Sequence, residues 1–164
     1  MVEINPIVKE IKLTKDGTFD FENMYKIIKD WYSFHQYDFF EKEYSDVIKE
    51  DSKDIKAHFN SEKKISDYVK YEVQIKLTVK NHRIVVAPDK KKKLVHGELI
   101  ISISSSIKSD FEGQWEEKPF KKFIRGIYDK FIEGDKNQRF ASELKEETYS
   151  LYNELKAFLN LQRF

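Results

Sequence analysis

Cysteine is absent from this 164-residue chain. Without it there is no disulfide framework, no thiolate nucleophile, no thiolate-bound zinc and no iron–sulfur ligation. Glycine (5) and proline (3) are scarce, and the glycines are isolated, so no glycine-rich turn is available to cradle a phosphate. No window approaches the ~18 uninterrupted apolar residues that cross a bilayer. Met1 to Pro6 lacks the basic start and apolar run of a signal peptide. The expectation is a soluble cytoplasmic protein with no membrane span. Charge of one sign is lacking too: Lys+Arg 30 against Asp+Glu 29 leaves a net +1. A case for nucleic acid or a membrane surface would therefore have to rest on a local patch.

What is present is aromatic. Phe 13, Tyr 9 and Trp 2 offset an apolar content of only 40% and a charged content of 36%, because aromatic side chains bury the most area per residue. The length suits one domain, residues 1–164, with a substantial core. The clearest pattern lies at Tyr68 to Lys80. Val69, Tyr71, Val73, Ile75, Leu77 and Val79 are apolar and the positions between them polar, which is a strand with one buried and one wet face.

Other elements follow in order. Ile7 to Leu13 reads as a strand ended by a turn at Lys15, Asp16 and Gly17. Thr18 or Asp20 is placed to cap a helix at Phe21 to Phe34, whose Met24, Ile27, Ile28, Trp31 and Tyr32 fall at helical spacing. Phe39 to Ile48 fits a strand through its aromatic and β-branched content, although Phe40, Tyr44 and Ile48 also have helical spacing. Ile55, Ala57, Phe59 and Ile65 mark a third strand, interrupted on its inner side by Ser61 and Lys63, so its end is expected to twist outward or bulge. Asn81 and His82 are expected to end the Tyr68 strand, with Arg83 to Ala87 a separate short piece and 88–93 a loop tip. Leu94 to Lys108 alternates again, with Leu99, Ile101, Ile103, Ser105 and Ile107 inward. Pro119 opens a helix over Phe120 to Ile132, and a last helix spans about Asn137 to Leu159. The fold class is α+β: a curved antiparallel meander of about six strands packed on a long C-terminal helix, with an early and a penultimate helix.

No catalytic constellation stands out. Asp38, Glu41, Glu43 and Asp46 cluster near one strand, Glu41 and Glu43 on one face, but acid–base work needs carboxylates whose environments separate their pKa values; a solvated strand face is the ordinary reading. His35, His58, His82 and His96 have no metal-ligand spacing, only His58 and His82 being candidates to approach across strands, and no metal or cofactor is expected. Ser102, Ser104, Ser105 and Ser106 lack a nucleophile turn. Lys90, Lys91, Lys92 and Lys93 form the one basic patch; lysines at a hairpin tip discourage edge pairing, and no aromatic platform adjoins them, so nucleic acid is not the expected partner. Trp115 and Phe111 sit in an unusual connection and would plug the core or anchor a partner. Arg125 would pair with a neighbouring carboxylate.

The strand at Ile7 to Leu13, the helix at Phe21 to Phe34, the strands from Phe39 to Lys108 and the helix at Phe140 to Leu159 come in an order that resembles the helix-grip fold of the START and SRPBCC-like superfamily. No motif accompanies the order, and the helix at Phe120 to Ile132 is additional to the simplest pattern. A plain α+β sheet with two helices on one face accounts for the same residues. The resemblance implies a non-enzymatic module that holds a hydrophobic or lipid-like ligand between sheet and helix. Tyr71, Val73, Ile75, Ile101, Ile103, Ser105 and Trp115 would form the pocket wall, with the small Ser105 leaving room for a ligand or a bulky neighbour. The alternatives are a protein-interaction or scaffold protein with a filled core, and a cyclase- or hydrolase-like enzyme on the same fold. Oligomeric state is open.

Overall fold

The computed structural model describes residues 3–48, 53–87, 92–109 and 133–161. Among the described residues seven elements are seen: β1 (Glu3–Phe19), α1 (Phe21–Phe34), β2 (Asp38–Ile48), β3 (Lys53–Lys64), β4 (Val69–Val86), β5 (Lys93–Ser109) and α2 (Glu133–Leu161). The strands form one antiparallel sheet in the order β1-β5-β4-β3-β2. The alternating stretch at Tyr68 to Lys80 is thus the central strand, and β1 and β2 are the two edges. The class is α+β, as expected. The expected helix at Phe120 to Ile132, the loop tip at Lys90 and Lys91, and Trp115, Phe111 and Arg125 lie outside the described residues.

Five strands replace the expected six, because Asn81 and His82 do not end β4. The register with β5 slips between Lys80 and Arg83, and Asn81 takes a left-handed φ of 54°, a conformation that asparagine tolerates better than most residues. The buried Asp54 carboxylate accepts the Asn81 amide at 3.0 Å and holds this bulge. The expected turn at Lys15 to Gly17 is likewise absent. β1 runs through it to Phe19, with Gly17 (φ 137°) facing Gly97 across the ladder. A Cβ on Gly97 would sit 2.9 Å from the Lys80 carbonyl oxygen, so close backbone approach explains the glycine there. In β1 two slips, at Pro6/Val8 and Val8/Ile11, turn Val8 inward and leave Lys9 outside.

α1 begins where its cap dictates. Asp20 accepts the Asn23 amide at 3.0 Å, satisfying one of the first-turn donors that have no partner inside the helix. The carboxylate is almost fully buried, and Lys92 reaches it at 2.5 Å, so this member of the basic run has a structural partner. α1 buries Met24, Ile28, Trp31 and Tyr32. α2 buries Leu144, Thr148, Leu151, Leu155 and Leu159 at helical spacing. Both stripes join the inner face of the sheet in a single core. Two polar contacts lock the helices in place: Trp31 Nε1 donates to Ser150 Oγ at 3.1 Å, and the Tyr32 hydroxyl donates to the Val73 carbonyl at 3.1 Å. Lys15 Nζ donates to the Leu159 carbonyl at 2.5 Å, where the C-terminal end of a helix favours a cation.

Candidate functional site

Tyr71, Val73, Ile75, Ile101 and Ile103 all have 0% exposure, and they belong to the core cluster that includes Trp31, Tyr32, Leu144 and Leu151. Ser105 does point inward, and what meets it is α2: the Thr148 hydroxyl donates to the Leu144 carbonyl at 2.6 Å and shares a 2.8 Å hydrogen bond with the Ser105 hydroxyl. The space left by the small residue is therefore occupied by a threonine side chain.

The inner face is not wholly apolar. β3 keeps an unbroken register with β4 from Ile55 to Lys64, so Ser61 and Lys63 do not bulge outward as expected. They stay on the core side opposite Val73 and Tyr71. Lys63 pairs with Glu147 of α2 at 2.7 Å, the two side chains only 14% and 15% exposed. Tyr37 donates to the same carboxylate at 2.6 Å. Lys63 Nζ lies 4.8 Å from the Tyr37 ring centre and 5.5 Å from that of Tyr71, within cation–π range. The Tyr71 hydroxyl donates to Glu143 at 3.4 Å. Burial, reinforced by Glu147, pushes the Tyr37 phenol far above its ordinary range; burial and Glu143 do the same to Tyr71. Groups displaced upward in this way are poorly matched to proton transfer near neutral pH. The cluster serves as a clasp tying the α1–β2 corner, β3 and β4 to α2.

On the outer face the polar positions form a ladder. Lys108 contacts Glu72 and lies 3.0 Å from Glu62, which also meets Lys70 at 2.7 Å. Gln74 donates to Glu72 at 2.7 Å, and His58 lies 3.2 Å from Gln74. Partial burial alone would raise the Glu62 pKa, but hydrogen bonds and charge from Lys70 and Lys108 outweigh it and hold the group below its ordinary value. A carboxylate depressed in the folded state stabilises the fold above its unfolded pKa of about 4.3, and that contribution is lost as pH falls through the lower folded value. Glu62→Gln should therefore show a smaller fall in urea midpoint between pH 7 and pH 3 than the parent chain. Equal falls would mean that the ladder is not coupled to folding.

The histidines do not converge. His82 meets the Lys53 carbonyl at 2.7 Å, His96 meets Thr18 at 2.8 Å, His35 meets the Trp31 carbonyl at 3.0 Å, and His58 has its glutamine. Ser102 on the outer face donates to Glu10 at 3.0 Å. Asp38, Glu41, Glu43 and Asp46 are all exposed. The register of β2 slips between Glu41 and Glu43, setting Glu41 against Phe59 and Glu43 against His58. These two carboxylates consequently lie on opposite faces, not on one face as simple alternation predicts.

The strand that bears them carries the most conspicuous surface. Among the described residues β2 pairs only with β3, leaving its other edge without a ladder. It exposes Phe40 (57%), Tyr44 (53%) and Ile48 (73%). Beside it, between α1 and β2, lies a groove of ≈ 360 Å³ lined by Phe21, Glu22, Tyr25, Glu41 and Tyr44. Tyr25 is fixed by edge-on contacts with Phe39 and Phe59, at 6.4 and 5.4 Å between ring centres, and donates to Glu41 at 3.2 Å. Burial, and secondarily Glu41, raises its phenol pKa. The sequence showed an acidic cluster and a strand here; the groove was hidden because Phe21 and Tyr25 come from the preceding helix.

No protein-family model matches the chain, and no curated protein matches it. No helix among the described residues is long and apolar enough to cross a membrane.

Proposed function

We propose that the protein is a non-enzymatic interaction module whose packed core serves as a scaffold and whose binding face is the β2 edge with the adjoining α1–β2 groove. One contrast carries the reading. Of the residues expected to wall an internal pocket, Tyr71, Val73, Ile75, Ile101 and Ile103 have no accessible surface and Ser105 is 4% exposed, whereas Phe40, Tyr44 and Ile48 are more than half exposed on a strand that, among the described residues, is paired on one edge only. Charges on an edge strand discourage its pairing with copies of itself, and β2 carries them; its exposed apolar groups, Tyr44 and Ile48 on one face and Phe40 on the other by register, mark contact positions along the same strand. The strand order, with α1 between β1 and β2 and the long α2 across the inner face, also supports an architecture of the helix-grip kind. In this reading the helix grips side chains and not a ligand.

The test is a titration with a fluorescent fatty acid and, separately, with an environment-sensitive apolar dye, following thermal unfolding and, in a Trp115→Phe variant, the emission of Trp31. The expected result is no saturable one-to-one binding and no rise in unfolding temperature. Stoichiometric uptake accompanied by a change at Trp31 would overturn the filled-core reading and restore a sheet–helix pocket for a hydrophobic ligand.

A further inference from the structure

The groove beside β2 has a composition that selects a class of partner. Three of its five described lining residues are aromatic (Phe21, Tyr25 and Tyr44) and the other two are carboxylates (Glu22 and Glu41). Among the described residues no cation lines it, and neither Glu22 nor Glu41 has a salt-bridge partner. An organic cation fits both components, since its charge is attracted by ring faces and by carboxylates while its alkyl stem covers apolar carbon. An uncharged apolar ligand would leave the carboxylates beside it without a favourable contact, and an anion would be repelled by them.

What presents the cation follows from the strand alongside. Glu43–Ile48 keeps an unbroken register with β3, a run of six residues whose other edge meets no strand among the described residues. The described part of β2 carries four carboxylates (Asp38, Glu41, Glu43 and Asp46) and one lysine (Lys42), a net of −3. A second copy adding its own β2 would bring two such edges together, and like charges facing across strands are destabilising. A basic extended segment would instead neutralise the edge. Resting on the interaction-module reading above, we propose that β2 accepts an extended basic segment of a partner protein as a sixth strand, one lysine or arginine of which enters the groove at Tyr44. Strand addition draws its affinity from main-chain hydrogen bonds and its selectivity from pockets for alternate side chains. Here that pocket is the aromatic–carboxylate groove. A second basic residue two places along the segment would lie on the same side as Asp46, and an apolar one two further at Ile48.

The experiment uses the full chain and an end-capped heptapeptide in which lysine, lysine and valine alternate with threonine, with a glutamate-for-lysine version as control. Binding is read by calorimetry and by amide hydrogen exchange. The lysine peptide is expected to bind and to slow exchange at residues 43–48, and the glutamate peptide to leave both unchanged. Glu41→Gln combined with Tyr44→Ser should weaken binding at least about tenfold, the scale of one lost charge contact and one lost cation–π contact. Ile84→Ser, an exposed apolar site on β4, should not change it. Binding should also fall as salt rises from about 0.05 to 0.5 M. Equal binding of the two peptides, or indifference to Glu41→Gln/Tyr44→Ser, would overturn the proposal. So would saturation of the groove by tetramethylammonium or lysine amide without slowed exchange in β2, which would make it a small-cation site. A dimer dissociated by Tyr44→Ser would overturn the basic partner while leaving the β2 interaction face standing. Uptake of a fatty acid into the core would instead sink the underlying reading.

Discussion

Lys63→Met is expected to destabilise the protein by about 3 to 5 kcal/mol, the range for removing one partner of a buried ion pair. The ammonium group sits beside Glu147 at 2.7 Å with both side chains mostly buried, and Tyr37 already spends its only hydroxyl proton on the same carboxylate. Without Lys63, Glu147 keeps that phenol but loses its counter-charge on the inner side of the sheet. The methionine conserves length and apolar volume, so packing against Tyr37 and Tyr71 changes little and the loss reports mainly the charge. The double variant Lys63→Met/Glu147→Gln should recover most of the stability, because it removes both charges and leaves an amide oxygen to accept the Tyr37 hydroxyl. Urea unfolding of the parent, the two single variants and the double variant measures the coupling. A single-variant loss below about 1 kcal/mol, the scale of an exposed pair, would show that the clasp is open to solvent.

That pair also marks where sequence reasoning reached its limit. Alternation located β4 and β5 because their inner positions are apolar almost without exception, and three-and-four spacing placed α1 from Phe21 to Phe34 and the apolar stripe of α2. It went astray wherever the inner face carries a polar residue or the period slips by one. Ser61 and Lys63 read as an outward twist because an inward lysine is improbable until its partner is known, and the partner, Glu147, lies 84 positions further along the chain. Asn81 and His82 read as a strand end, since a bulge and a terminus both interrupt alternation. What separates them here is the Asp54 carboxylate held against the Asn81 amide, a contact between β3 and β4.

The candidate site was legible only in fragments for the same reason. The carboxylates of β2 were visible as a cluster, but their faces depended on a slip between Glu41 and Glu43 that no pattern announces. Phe21 reads as the ordinary start of a helical apolar stripe, and nothing in the pattern singles out Tyr25. Only the packing of α1 beside β2 leaves part of that stripe open as a groove wall. Six residues of the expected pocket wall, Tyr71, Val73, Ile75, Ile101, Ile103 and Ser105, are buried, Trp115 lying outside the described residues; what the pattern left open was the depth of cover. Periodicity tells which side of a strand is apolar; whether a helix or a ligand meets that side depends on the partner element.

Ser105→Leu tests that distinction at one position, with an expected loss of about 1 to 3 kcal/mol, the usual cost of forcing extra carbons into a packed core. Ser105 is 4% exposed, and its hydroxyl is hydrogen-bonded to that of Thr148 at 2.8 Å, Thr148 itself having no accessible surface. A leucine side chain would have to displace α2 or leave its rotamer. Ser105→Ala removes only the hydroxyl, and Thr148 retains its hydrogen bond to the Leu144 carbonyl at 2.6 Å, so its cost should stay at about 1 kcal/mol, the net worth of a typical hydrogen bond. The alanine and leucine variants thus separate volume from polarity. With α2 packed against β5, leucine is the more damaging of the two by thermal and urea unfolding. A Ser105→Leu protein as stable as the parent or more so would reveal unfilled space between β5 and α2. The residues Tyr71, Val73, Ile75, Ile101 and Ile103 would then have to be reconsidered as the wall of a ligand cavity.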